Sequence, residues 1–161
     1  MQKILSVLKI LVFILFFSPS AFAQSKDFAV IAYYASNNRS QIDSFAVEKL
    51  SHIIYSFCHL KGNRLNVDDA GDTAMIQKLV GLKKRNPQLK VMLSLGGWGG
   101  CETCSDVFSS KEGRRVFSQS VKELNEYFGT DGIDLDWEYP AIEGYPNHKY
   151  QVRTKKILQN L

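Results

Sequence analysis

The sequence predicts an α/β fold in which about four βα units place their strands side by side in a parallel sheet. Two observations support this prediction. Short, continuous apolar segments recur along the chain, as expected for strands buried on both faces. Longer segments with apolar residues at helical spacing separate them, and this alternation indicates βαβ units with right-handed crossovers.

The predicted strands cover residues 28–34, 52–60, 90–95 and 132–137. The strand at 28–34 is a continuous apolar segment, so we expect it to be buried on both faces, as parallel strands usually are. Between the third strand and the helix that follows it, residues 96–100 predict a glycine-rich turn.

The connections alternate between helical and polar segments. Residues 45–50 predict a short helical connection, and residues 61–72 are polar and predict a loop. Residues 73–85 carry apolar side chains at helical spacing. Asn86-Pro87 ends that helix, because the residue before a proline avoids helical backbone.

A second long helix is predicted at residues 111–128, where apolar side chains again follow the helical period. Ser110 is a suitable N-cap, because its hydroxyl can accept a hydrogen bond from the first turn. Gly129 can end the helix in the left-handed conformation that glycine adopts without strain.

The last predicted strand carries a row of acids. Asp134, Asp136 and Glu138, here called the acidic row, occupy every second position, so their carboxylates share one face of a strand about 7 Å apart. Apolar residues fill the positions between them. Three anions this close raise the pKa of at least one of them. Acid catalysis is the favoured interpretation, since clusters of perturbed acids mark functional sites.

Two other interpretations of the acidic row remain open, a cation site and the solvated face of an edge strand. Calcium loops need flexible backbone, whereas the β-branched and aromatic residues here favour a stiff strand. A solvated edge would leave Ile133 and Trp137 in need of cover on the opposite face. Asp131 is out of phase with the row, and we expect it to be a structural residue of the turn that enters the strand.

Four motifs in the same order resemble one known family. The pattern Asp-x-x-Asp-x-Asp-x-Glu-Tyr-Pro at residues 131–140 resembles the signature of the family 18 glycoside hydrolases, the chitinases. The Ser-Leu-Gly-Gly-Trp of residues 94–98 is similar to the motif that ends the third barrel strand of that family. Residues 32–34 and 52–57 resemble the ends of its first two strands. A threonine at position 130, where the family usually has an apolar residue, is a small departure.

The resemblance implies a (β/α)8 TIM barrel, of which this chain would hold the N-terminal half in residues 24–150. A complete barrel takes about 250 residues, and the chain has 161. Half a barrel leaves two open strand edges, so we expect the chain to be a poor candidate for a stable fold by itself.

The resemblance also implies a mechanism. Glu138 would be the general acid that protonates the glycosidic oxygen, a role that requires a raised pKa. In this family the substrate assists, because its 2-acetamido oxygen attacks the anomeric carbon and the configuration is retained. Asp136 would orient the acetamido group and stabilise the developing positive charge. Asp134 would lie behind it and share a proton with it.

Five further positions match residues that line the sugar cleft of the family. They are the aromatic residues Tyr33, Phe57, Trp98 and Tyr139, and Gly97. Gly97, together with Gly96, lets the backbone turn closely below the cleft, and a packing role alone is the alternative for these glycines. Packing in the core is the alternative for each aromatic residue, particularly for Phe57.

Residues 1–23 predict a signal peptide. After a positively charged start, residues 10–17 form an unbroken apolar segment that is too short to span a bilayer. The Ala-Phe-Ala at residues 21–23 is a small-x-small cleavage site. We expect a secreted or periplasmic protein that begins at Gln24, and an uncleaved membrane anchor is the alternative.

The tail at residues 151–161 departs from the family, which usually has a segment resembling Asp-Lys-x-Asn-Phe-Thr there. Codons exist for this tail that encode Ala-Asp-Lys-Lys-Asn-Phe-Thr-Lys-Leu in a neighbouring frame. We therefore hypothesise a frameshift just before Val152. The nucleotide sequence decides the question, because an adjacent frame without that helix would contradict the hypothesis.

The net charge and the cysteine content limit which partners and metal sites the chain can have. The formal net charge is +4, and it falls to about +2 when residues 1–23 and their two lysines are removed. This near-neutral balance argues against nucleic acid as the main partner. The residues Cys101 and Cys104 form a Cys-x-x-Cys for which a local disulfide and two free thiols both remain open. A zinc site is disfavoured, because a second cysteine pair and suitably spaced histidines are lacking. Cys58 lies in an apolar strand and is expected to be buried.

The expected function is that of an exported chitinase that hydrolyses β-1,4-linked N-acetylglucosamine, with chitin or its oligosaccharides as partner. We expect no nucleic-acid partner, no membrane partner after signal cleavage, no cofactor and no metal. One alternative is an endo-β-N-acetylglucosaminidase. Another is a chitin-binding, lectin-like protein on the same fold, a class that usually lacks the acid at the position of Glu138. The fragment alone is expected to be inactive.

Overall fold

A computed structural model describes residues 28–35, 42–140 and 142. The predicted signal peptide at residues 1–23 and the tail at residues 151–161 lie outside the described residues. Within the described ranges, no helix is long and apolar enough to cross a membrane.

Five strands and three α-helices form the described part of the chain. The strands are β1 (Ile31–Ala35), β2 (His52–Lys61), β3 (Arg64–Asn66), β4 (Lys90–Gly96) and β5 (Gly132–Asp136). The helices are α1 (Ala70–Gly81), α2 (Cys104–Ser109) and α3 (Lys111–Phe128), and short 3-10 turns cover Ile42–Ser44, Val47–Lys49 and Leu82–Lys84.

The sheet is parallel, with the order β1-β2-β4-β5, so the four predicted strands pair as neighbours in chain order. The predicted loop at residues 61–72 is wrong in part, because β3 pairs with the end of β2 as an antiparallel hairpin. Gly62 has a φ of 61° in the tight turn. The Gly62-Asn63 dipeptide between two leucines was a usable hairpin signal, since glycine allows the turn that such hairpins favour.

The helix α3 begins and ends where the sequence predicts. The Ser110 hydroxyl accepts a hydrogen bond from the Gly113 N–H at 2.9 Å, and Gly129 ends the helix with a φ of 75°. Phe117 and Phe128 are buried on its inner stripe. The helix packs against α2 and β3 and covers one face of the sheet.

Other helix boundaries differ from the predictions. The helix α1 begins at Ala70, three residues earlier than predicted, because the Asp69 side chain caps it by accepting a hydrogen bond from the Asp72 N–H at 2.8 Å. It gives way to a 3-10 turn at Leu82–Lys84 before the predicted end. The predicted helical connection at 45–50 is only the 3-10 turn Val47–Lys49. The short helix α2 was not predicted.

The strand β1 contradicts the prediction of burial on both faces. Ile31 is 53% exposed and Tyr33 is 58% exposed, whereas Tyr34 on the opposite face is only 5% exposed. Among the described residues β1 is an outer strand of the sheet, paired only with β2. One of its faces packs on the core, and the face that carries Ile31 and Tyr33 has no covering layer in the described part of the chain.

Asp131 anchors the start of β5, as the sequence predicts for a structural residue. Its carboxylate accepts a hydrogen bond from the Val91 N–H at 2.7 Å and lies 2.6 Å from the Lys83 ammonium group. Lys90 is a second cation at 3.5 Å. Burial alone would raise the pKa of Asp131, but the hydrogen bonds from Lys83 and Val91 and the two lysine charges outweigh it and lower that pKa.

Candidate active site

The acidic row extends beyond the strand that carries it. Asp134 and Asp136 lie on β5, which ends one residue earlier than predicted, and Glu138 follows two residues later. Trp137, between the two last acids, is buried and packs edge-on against Phe108 with ring centroids 5.3 Å apart. Ile133 and Leu135 also pack against the core, so the alternation predicted for β5 is confirmed, with Asp134 and Asp136 on the opposite face.

Asp134 is held from two strands. The Ser94 hydroxyl on β4 donates a hydrogen bond to its Oδ2 at 2.7 Å, and the Tyr33 hydroxyl on β1 donates one to its Oδ1 at 3.3 Å. Because β1 and β5 are the two outer strands of the parallel sheet, this second contact shows that the sheet curls until its edges approach. Burial, and then the charge of Asp134, raise the pKa of Tyr33.

Asp136 is the member of the acidic row whose pKa is raised. Burial raises the pKa of its carboxyl, and the neighbouring charges of Glu138 and Asp134 raise it further. The structure thus assigns to Asp136 the raised pKa that the spacing predicts for at least one member of the row. A carboxyl of this kind holds a proton more readily than an isolated aspartate does.

Two glycines bring the turn after β4 against the end of β5. A Cβ on Gly96 would lie 2.0 Å from the Asp136 carbonyl oxygen, and the Gly97 N–H donates a hydrogen bond to that oxygen at 3.0 Å. A Cβ on Gly97 would lie 2.7 Å from the Phe57 ring. Both glycines have positive φ values, of 121° and 79°, so the close approach and the backbone conformation both require glycine.

The predicted cleft aromatics differ in exposure. Trp98 is 79% exposed, so core packing does not account for it, and the same holds for Tyr33. Tyr139, next to Glu138, is half-buried and contacts Trp98 edge-on, with ring centroids 6.2 Å apart. Phe57 is half-buried beside Gly97. The peptide bonds Ser56–Phe57 and Glu138–Tyr139 are both cis.

The three cysteines divide into a bonded pair and a buried thiol. Cys101 and Cys104 form a disulfide, which resolves the alternative that the sequence left open. Cys58 is fully buried, as predicted, and its burial raises the pKa of the thiol to about 12. Within residues 28–35, 42–140 and 142, no three His, Cys, Asp or Glu side chains are arranged to hold a metal ion.

Sequence reasoning missed Ser94 as a contact of the acidic row. Its hydroxyl is fully buried and directly opposite Asp134 in the register of β4 and β5. A serine in the otherwise apolar 90–95 segment was the available signal, because a buried hydroxyl needs a hydrogen-bond partner.

Comparison with known proteins identifies the family. Residues 29–159 match the family described as Glycosyl hydrolases family 18. This chain belongs to that family. The match includes all of the acidic row and the glycine-rich turn, so the family resemblance of the motifs is confirmed.

Among curated relatives of this family 18 member, Chitinase 1 of Aphanocladium album is 33% identical over 143 residues, which is 76% of this chain and 33% of that protein. Chitinase B of Serratia marcescens is 30% identical over 158 residues, which is 78% of this chain and 32% of that protein. The chain therefore spans no more than a third of the length of these curated relatives.

Solved structures give the same picture of the fold. The Group IV chitinase of Ostrinia furnacalis matches with a TM-score of 0.71 at 21% identity, covering 83% of this chain and 40% of that chain. Human YKL-39, described as a pseudo-chitinase with retained chitooligosaccharide binding properties, matches with a TM-score of 0.57 at 28% identity, covering 71% of this chain and 33% of that one. The predicted fold, a truncated part of a (β/α)8 barrel, is confirmed.

Proposed function

We propose that this chain is the N-terminal part of an exported chitinase that hydrolyses β-1,4-linked N-acetylglucosamine in chitin. The observation that carries the proposal is the acidic row, in which Asp134 contacts Tyr33 and Glu138 is followed directly by Tyr139 of the Trp98–Tyr139 pair. Aromatic rings suit the apolar faces of sugar rings, and a carboxyl next to them can reach a glycosidic oxygen. The protein acts outside the cytoplasm after removal of residues 1–23.

Glu138 is the general acid in this proposal. It donates its proton to the glycosidic oxygen as the bond to the anomeric carbon breaks, so the leaving sugar departs as a neutral alcohol. The contact between Tyr139 and Trp98 supports this role, because it places an exposed aromatic surface next to Glu138. After the leaving sugar has gone, the Glu138 carboxylate takes a proton from the attacking water.

The second partner in the reaction is the substrate itself. The 2-acetamido oxygen attacks the anomeric carbon and forms an oxazolinium ion, which water then opens from the same face as the departed sugar, so the configuration is retained. Asp136 accepts a hydrogen bond from the acetamido N–H and stabilises the positive charge. Its raised pKa supports proton sharing with Asp134 before substrate binds.

Asp134 has a positioning role in this scheme. It is fixed by the hydroxyls of Ser94 and Tyr33, so its charge stays behind Asp136 while the substrate is bound. The described residues supply only part of the cleft, because the chain spans about a third of its curated relatives. We therefore propose that the 161-residue chain alone is inactive and that a longer protein carrying it is active.

The test is the release of chromophore from a chromogenic chitobioside. The longer protein should turn it over, the 161-residue chain should not, and Glu138→Gln in the longer protein should lower kcat by about 100-fold or more. Glu126→Gln, an exposed acid on α3 that pairs with Lys122, is the matched control and should leave kcat unchanged. Clear turnover by the short chain, or a mild effect of Glu138→Gln, would contradict the proposal.

A chitin-binding protein without activity is the second candidate, because a structural relative, human YKL-39, is described as a pseudo-chitinase that retains chitooligosaccharide binding. The presence of Glu138 favours the enzyme. The two candidates separate in the same assay, since a binding protein would bind chitin oligosaccharides and show no turnover in the longer protein.

A further inference from the structure

A pocket beside Trp98 takes no part in the chemistry proposed above. It has a volume of about 430 Å³, within the range of about 300–1,000 Å³ typical of small-molecule sites. Its walls come from the end of β2, with His59 and Leu60, from Trp98, and from the loop residues Glu102 and Thr103. None of the three acids of the acidic row lines it.

Glycine and the disulfide shape the wall of this pocket. A Cβ on Gly100 would lie 2.1 Å from the Gly96 carbonyl oxygen and 3.0 Å from the His59 ring, so the loop can pass this close to β2 only with glycine there. The disulfide between Cys101 and Cys104 closes a short loop that contains Glu102 and Thr103, and both cysteines are buried. The loop therefore presents Glu102 from a fixed backbone.

The charge of the pocket is negative. The His59 Nδ1 is hydrogen-bonded to the Asp68 carboxylate, so that carboxylate is already partnered. Glu102 has no ion-pair partner within the described part of the chain. The aromatic face of Trp98 adds a surface that attracts cations. A neutral sugar can pack on Trp98 but gains nothing from the charge of Glu102, whereas a sugar that carries a protonated amine gains from both groups.

We propose that this pocket binds a glucosamine unit, a deacetylated residue of the polysaccharide, with the ammonium group paired to Glu102 and the ring next to Trp98. The proposal rests on the proposed function, because it takes Trp98 as the point at which the pocket joins the sugar cleft. It makes the protein selective for partially deacetylated chitin at a position away from the acidic row.

The test is isothermal titration of the longer protein, carrying Glu138→Gln to prevent hydrolysis, with the pentasaccharides of N-acetylglucosamine and of glucosamine. A pH of about 6 keeps carboxylates ionised and amines protonated. The acidic row also attracts amines, so the readout is the change in the ratio of the two affinities on mutation. Glu102→Gln should weaken glucosamine binding about twofold to fivefold, as expected for a partly exposed ion pair, and leave N-acetylglucosamine binding unchanged.

Two variants serve as controls. Glu102→Asp keeps the charge and should retain most of the preference, and Glu126→Gln removes one exposed charge from α3 and should not change the ratio. The proposal is overturned if Glu102→Gln leaves the ratio as it is with Glu138→Gln alone, or weakens both sugars equally. If the longer protein with Glu138→Gln alone binds neither sugar, the proposed function is overturned together with this inference.

Discussion

Asp136 lies where its own charge is disfavoured. Burial and the two neighbouring acids raise the pKa of its carboxyl, so the folded state binds its proton more tightly than the unfolded state does. The stability that this proton contributes is present below the unfolded pKa of about 3.9 and is lost as the pH rises through the raised folded value. Above that range, the charge of Asp136 destabilises the fold.

Asp136→Asn should therefore stabilise the protein at neutral pH by about 0.2–1 kcal/mol, the usual size of a repulsive contact between neighbouring side chains. The gain should disappear at a pH of about 3, where Asp136 is protonated in both states. Urea unfolding at the two pH values measures this, and a variant less stable than wild type at neutral pH would contradict it. In the longer protein the same change should remove activity.

The sequence predicts the position of a single side chain correctly where that position depends only on its neighbours along the chain. The alternation of acids with Ile133, Leu135 and Trp137 was sufficient to predict which face each side chain takes, because side chains on a strand alternate by geometry alone. The contacts of Asp134 were not predictable in this way. Tyr33 and Ser94 lie 101 and 40 residues away along the chain, and only the curl and the register of the sheet bring them to it.

At the scale of elements, Asp131 ties three parts of the fold together. It connects the 3-10 turn at Leu82–Lys84, through Lys83, with the start of β4 and the start of β5. The same local reasoning that predicted α3 from Ser110 and Gly129 could not identify these partners. A capping residue bonds within its own turn, whereas Asp131 reaches a lysine 48 positions earlier.

Asp131→Asn should cost about 1.5–3 kcal/mol of unfolding free energy at neutral pH, the range for hydrogen bonds that involve a charged group. The pKa of Asp131 is lowered, so its contribution is present above the unfolded pKa and is lost as the pH falls through the folded value. Thermal or urea unfolding at several pH values tests this. A cost that does not shrink in acid would contradict the ion-pair explanation.

The contact between the turn after β4 and the end of β5 can be tested with a matched pair of glycines. Gly62→Ala introduces a side chain at a φ of 61° with nothing within 4 Å, so it should cost only the backbone term of about 1–2 kcal/mol. Gly96→Ala also places a Cβ 2.0 Å from the Asp136 carbonyl oxygen. Its cost should be clearly larger, and equal costs in urea unfolding would show that the contact is unimportant.

The described part of the chain is a curled sheet with one face covered by helices, and its other face is open at the outer strand β1. That openness explains why the predicted burial of β1 was wrong. The apolar pattern of residues 28–34 is that of a strand buried on both faces, but Ile31 and Tyr33 are exposed here. The apolar pattern of this strand fits the burial that it would have in the complete fold of the family. This chain spans only about a third of the length of its curated relatives, so part of that cover lies outside it.

Ile31→Lys should therefore be tolerated in the 161-residue chain, with a change in stability within about 0.5 kcal/mol, as for most surface substitutions. It should also lower the binding of a hydrophobic dye, because it places a charge on an exposed apolar edge. Ile53→Lys, at a position that is 2% exposed on β2, is the control and should abolish cooperative unfolding. Strong destabilisation by Ile31→Lys would show that this face is covered in solution.

The buried position of Cys58 bears on how the oxidised protein forms. Exchange between thiols and disulfides proceeds through the thiolate, and a pKa of about 12 leaves only about one Cys58 in 100,000 ionised at neutral pH. The thiol is also shielded from attackers and oxidants. Once the strand around it is folded, Cys58 does not exchange with the Cys101–Cys104 disulfide. An unpaired thiol at this position is therefore compatible with an oxidising environment.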